Sequence, residues 1–214
     1  MSQVVIAGDV SGTITLQAPS VAGTTVLTLP TTSGTLAVGS SAMTLISTLT
    51  ASNSATLSFT GLSTYNNYVL QFQNIYPVTG TNNPFTFYMI AGYGSTPTYY
   101  TSAYNYEGIY VAYSASVNGF YAQGGSNIPL AGNSLTGITG NTPNINGFLN
   151  INNFLVGALG YNGIISNNDN TNRVTNNTIS GVLNQTSNPI TALQFQFSSG
   201  NIGGGKISLY GISS

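Results

Sequence analysis

The chain has 214 residues, which fits one domain with an appendage or two small domains, and 41% of them are hydrophobic, enough for a buried core. Only 2% are charged (Asp9, Glu107, Asp169, Arg173 and Lys206), the net charge is -1, and there is no histidine and no cysteine. This removes disulfides, thiolate and imidazole chemistry and Cys/His metal sites, together with the basic patch that nucleic acid or an anionic membrane requires.

The opening fifty residues are mostly Thr, Ser, Gly, Ala, Val and Leu and hold none of the 14 tyrosines or 9 phenylalanines. Thr13-Ile14-Thr15-Leu16-Gln17 alternates polar and apolar residues and predicts a strand. Thr25-Val26-Leu27-Thr28-Leu29 and Thr35-Leu36-Ala37-Val38 predict two more, with Gly12, Pro19, Gly23, Pro30 and Gly34 between them. With no aromatic bulk, this segment has to bury its apolar positions (Ile14, Leu16, Val26, Leu27, Leu29 and Leu36) against its own symmetry mates or a larger partner. Residues 1–40 are therefore read as a β anchor or oligomerisation segment, with Gly39-Ser40-Ser41 as a linker.

Residues 45–214 predict an antiparallel β-sandwich of jelly-roll type. Ala55, Leu57 and Phe59 alternate with Thr56 and Ser58, and Tyr68, Leu70 and Phe72 with Val69 and Gln71. Phe85, Phe87 and Met89 follow, then Ile109 to Tyr113, Phe148 to Ile151, and Leu193, Phe195 and Phe197. Lys206 to Tyr210 forms the last predicted strand. Gly80-Thr81-Asn82-Asn83-Pro84 and Gly124-Gly125-Ser126-Asn127 punctuate the series. The Asn- and Gly-rich stretch over 119–188 predicts long loops, because Asn tolerates positive φ and bonds its own backbone. No basic region followed by an apolar run opens the chain, and Phe154 to Tyr161 falls far short of the roughly 18 residues of a spanning helix. Neither a secretory leader nor membrane insertion is expected.

Chemical motifs are sparse, and neither enzymatic activity nor a cofactor is expected. Gly200-Asn201-Ile202-Gly203-Gly204-Gly205-Lys206-Ile207 approaches a phosphate-binding loop, but Ile207 replaces the Mg²⁺-binding hydroxyl and an alternating strand follows in place of a helix. Glu107 with Asp169 is the only carboxylate pair outside the appendage. The run Asn167-Asn168-Asp169-Asn170-Thr171-Asn172 has one carboxylate where calcium prefers several, so no metal is assigned. Tyr93, Tyr99, Tyr100 and Tyr104 crowd one stretch and suit either interface packing or stacking against sugar.

Two stretches carry a resemblance. The first is Gly12-Thr13-Ile14-Thr15-Leu16-Gln17-Ala18-Pro19 with Leu27-Thr28-Leu29-Pro30 and Gly34-Thr35-Leu36. It resembles a segment recurrent in bacteriophage fibre and virion surface proteins. The second is Ser54-Ala55-Thr56-Leu57-Ser58-Phe59-Thr60-Gly61-Leu62, with Tyr65, Tyr68, Phe72 and Asn74-Ile75-Tyr76-Pro77. It resembles the opening of a β-sandwich domain in similar phage proteins, and Lys206-Ile207-Ser208-Leu209-Tyr210-Gly211 looks like that domain's closing strand.

The resemblance implies a homotrimeric component of the virion's outer surface with an N-terminal anchor and a distal sandwich. The leading expectation is a capsid decoration (cement) protein or short head fibre whose partners are its own copies and the major capsid protein. The alternative is a tail-fibre tip that recognises a host surface glycan through the tyrosine-rich stretch.

Overall fold

A computed structural model describes residues 3–7, 11–17, 20–21, 23–24, 43–78, 86–111, 117–131, 145–152, 154, 158–168, 174–184 and 188–213. The chain divides into two compact units, Met1–Gly39 and Ser40–Ser214. The first contains an antiparallel hairpin of β1 (Gln3–Ala7) and β2 (Thr13–Gln17), in register from Gln3 opposite Gln17 to Ala7 opposite Thr13. Strand β2 coincides with the predicted 13–17 run. Strand β1 was not anticipated, because Val4, Val5 and Ile6 are consecutive apolar residues without alternation. The expected strands at 25–29 and 35–38, with Val26, Leu27, Leu29 and Leu36, lie outside the described residues.

The second unit is an all-β sandwich. One sheet has the order β3 (Met43–Thr50), β15 (Ile202–Ile212), β5 (Asn67–Pro77), β11 (Ile145–Asn152), β12 (Ala158–Asn168), β13 (Val174–Asn184), β8 (Tyr104–Val111), β9 (Val117–Gly125). The other runs β10 (Ile128–Ala131), β6 (Phe87–Tyr93), β14 (Ile190–Phe197), β4 (Leu57–Phe59), with the short β7 (Thr98–Tyr99) also on β6. All neighbours are antiparallel.

Alternation explains the core. Successive side chains of a strand point to opposite faces, so the period-two apolar sets at 68, 70, 72 and 193, 195, 197 all turn inward. Each of these residues is buried. Rings from the two sheets meet at the centre: Phe72 of β5 lies 6.0 Å from Phe87 of β6 and 5.7 Å from Phe195 of β14.

The loops expected across 119–188 are in large part strands. Two of the longest in the sheet, β12 and β13, come from that stretch and pair without interruption from Ala158 opposite Asn184 to Asn168 opposite Val174. The alternation persists with unusual residues: Leu159, Tyr161 and Ile165 are buried from β12, and Thr175, Asn177 and Ile179 from β13. Asn177 is tolerated inside because its Nδ2 donates to the Ile165 carbonyl (3.1 Å) and to Asn167 Oδ1 (2.9 Å).

Glycines also behave as strand residues. A Cβ at Gly181 would lie 2.5 Å from the Tyr161 hydroxyl, one at Gly108 would lie 2.4 Å from the Phe120 ring, and one at Gly211 would lie 2.3 Å from the Tyr65 ring. Each glycine is the space its aromatic neighbour fills, a known device for stabilising glycine within sheets. The Gly203-Gly204 pair does the same under Tyr76, with Cβ positions 2.8 and 2.5 Å from that side chain. The glycine-rich run is therefore part of a paired strand and cradles a tyrosine.

Candidate functional site

The four tyrosines grouped in the sequence separate in space. Tyr104 is 0% exposed. Its hydroxyl accepts the Ala91 N–H (2.8 Å) and donates to the Tyr100 carbonyl (3.3 Å), tying β8 to β6 across the core. This corrects its candidacy for sugar stacking: the ring has no free face. Tyr99 lies over Gly92, where a Cβ would come within 2.8 Å of its ring. The Tyr100 ring packs 4.9 Å from that of Tyr93. Burial raises the pKa of the Tyr100 hydroxyl, partly offset by neighbouring Asn188. Tyr93 alone of the four borders an open cleft of about 430 Å³, with Ser63, Ser95, Asn188 and Thr191. The Thr191 hydroxyl is already committed to the Gly94 carbonyl (2.9 Å). Sequence proximity thus merged residues that point to different sides of the chain, and packing engages most of the cluster.

Burial of tyrosine has a consequence for pH. Tyr104 and Tyr161 have hydroxyl pKa values pushed well above the usual 10, in both cases chiefly by desolvation. At Tyr104 the Ala91 bond offsets this only in part, and at Tyr161 the neighbouring Tyr106 and Tyr104 add to it. Both hydroxyls ionise near pH 10 in the unfolded chain but stay neutral in the folded one. The stability they contribute is complete below pH 10 and is lost as pH rises beyond it. The loss is about 1.4 kcal/mol per pH unit for each fully retained proton. Urea unfolding at pH 9, 10 and 11 should show a midpoint that holds and then drops; a midpoint unchanged at pH 11 would contradict the burial of these hydroxyls.

The anchor candidates lie in the first unit. Ile14 and Leu16 fall on β2, opposite Ile6 and Val4. Every residue of this unit whose burial is described is exposed, including Val4 (59%), Val5 (52%) and Ile6 (53%). Alternation sends Val4 and Ile6 to one face of the hairpin and Val5 to the other.

The remaining chemistry is thin. Glu107 is exposed on β8, and its proposed partner Asp169 lies outside the described residues. Among the described residues there is no group of three or more His, Cys, Asp or Glu that could hold a metal, and no helix long and apolar enough to cross a membrane. The sequence matches no family model and no curated protein, and the fold matches no solved structure.

Proposed function

We propose that this protein is a structural component of a bacteriophage virion: a homotrimeric capsid decoration (cement) protein or short head fibre on the particle's outer surface. Residues 1–40 attach it, the sandwich projects outward, and the major capsid protein is the partner beneath. The observation that carries this reading is the hairpin with apolar side chains exposed on both faces. A two-stranded hairpin by itself is at best marginally stable in water, and its outer edges offer unpaired backbone groups. A partner surface or symmetry-related copies would bury the side chains that are exposed among the described residues of this hairpin.

Two further points support the reading. The sequence segments 12–19, 27–30 and 34–36 resemble those of phage fibre and surface proteins. The sandwich has two cations and two anions to bring into any assembly, so copies can crowd together with little charge repulsion and little salt dependence.

Deleting residues 1–39 tests the proposal. The second unit has its own core, so the truncated protein should keep its β-sheet signal and cooperative unfolding. It should sediment as a monomer and leave phage particles undecorated. A truncated protein that still coats particles to full occupancy would refute the anchor assignment.

A further inference from the structure

On the outer face of the eight-stranded sheet, polar side chains largely satisfy one another across strands. Asn150 donates to Asn162 (2.9 Å), the Ser166 hydroxyl to Asn176 (2.6 Å), and the Thr48 and Ser208 hydroxyls meet at 2.9 Å. One row departs from this pattern. Register places Ser180 of β13 opposite Glu107 of β8, and Glu107 opposite Tyr121 of β9. Side chains directly opposite in neighbouring strands share a face and lie within reach of each other.

Among the described residues, nothing bonds or pairs with the Glu107 carboxylate, the Ser180 hydroxyl or the Tyr121 hydroxyl. Tyr121 is 82% exposed although it sits on a regular strand. Two hollows, of about 350 and 210 Å³, meet at this row and share Glu107 and Ser180 in their walls. Asn105, Tyr121 and Gln123 are among the other residues lining the larger, with Tyr106, Ala122 and Gly181, and Thr178 adds a hydroxyl to the smaller. The larger volume lies within the roughly 300–1,000 Å³ of small-molecule sites.

We propose that this row is a binding site for a neutral saccharide. An ionised carboxylate only accepts hydrogen bonds, and its two oxygens match a pair of adjacent sugar hydroxyls. The Ser180 and Thr178 hydroxyls and the Gln123 amide both donate and accept, as a polyol requires. Tyr121 offers an apolar ring face to the C–H side of a pyranose and keeps a polar tip in water. A tyrosine beside a carboxylate also suits an organic cation. A cation, however, needs only acceptors, and this wall is richer in groups that also donate. The paired strands fix the backbone positions of the row, and a tyrosine, with two side-chain torsions, loses little conformational freedom on binding. The site does not depend on where the protein sits on a particle.

The test uses the full chain on an array of neutral glucose-, galactose-, mannose- and rhamnose-containing oligosaccharides. The strongest binder is then titrated by calorimetry, with tetramethylammonium chloride as competitor. At least one neutral oligosaccharide should bind, and added salt should not displace it. Tyr121→Ala and Glu107→Gln should each weaken binding about tenfold or more, while Tyr121→Phe should stay within about threefold. Thermal unfolding of each variant confirms that the sandwich is intact, because both side chains are exposed. The site is overturned if no neutral oligosaccharide binds, if tetramethylammonium competes, or if Tyr121→Ala binds as well as the parent. Loss of binding on Tyr93→Ala alone would likewise overturn it and return recognition to the cleft beside Tyr100.

Discussion

Phe195→Ala is expected to lower the free energy of unfolding by about 3–5 kcal/mol. Phe195 is 0% exposed and touches rings from three other strands. Phe59 of β4 meets it edge-on at 6.2 Å, Phe72 of β5 at 5.7 Å with planes 71° apart, and Phe87 of β6 stacks at 6.2 Å. Truncation removes the buried ring and leaves a cavity that three rigid strands cannot easily close. A domain of this kind has about 5–15 kcal/mol in total, so the loss is a large fraction of what holds the sandwich. Urea unfolding followed by tyrosine fluorescence checks it. The midpoint should fall with the slope unchanged. A loss below about 1 kcal/mol would mean that the two sheets do not meet at this ring.

Gly205→Ala should be comparably severe for a different reason. Gly205 holds φ at +101°, where a side chain is strained, and a Cβ there would lie 2.4 Å from the Asn74 carbonyl oxygen. The strain costs about 1–3 kcal/mol, and displacing the facing backbone costs about 1–3 kcal/mol more. Gly61→Ala separates the two effects. Gly61 also has a positive φ, +70°, but nothing lies within 4 Å of its Cβ position. Its variant should lose only the conformational part. Equal losses at the two sites in the same urea assay would show that Gly205 is not pressed against β5.

Much of the sandwich was legible because its apolar residues keep a strict period of two. Tyr68, Leu70 and Phe72 could be assigned to one buried face without further information, and so could Leu193, Phe195 and Phe197. The middle of the chain was not legible for the same physical reason in reverse. Its strands place Thr175 and Asn177 where a Val or Ile would ordinarily mark the inward side, and hydrogen bonds from Asn177 replace the missing apolar contact. Glycine misled in a similar way: Gly181 falls in the stretch read as loops, yet it is a strand residue whose missing side chain leaves the space that Tyr161 fills.

The candidate sites follow the same logic. Tyr93, Tyr99, Tyr100 and Tyr104 attract attention by proximity along the chain, yet direction decides availability, and Tyr104 points into the core. Tyr121 escaped notice as one aromatic among several. Its signal was the pattern Phe120-Tyr121-Ala122, which turns the tyrosine away from its two apolar neighbours.

The position of β15 also sets the order in which the sandwich can be completed. It lies between β3 and β5, pairing Leu209 with Ser47 on one side and with Leu70 on the other. During synthesis it is the last of these strands to emerge, so β3 and β5 have no neighbour between them until it does. The facing edges of β3 and β5 must wait unpaired along that gap. Pairings so distant in sequence are slow to form, and exposed strand edges invite other chains. Copies translated close together are thus most open to mispairing just before β15 closes the sheet, and correct folding depends on that closure preceding contact between chains.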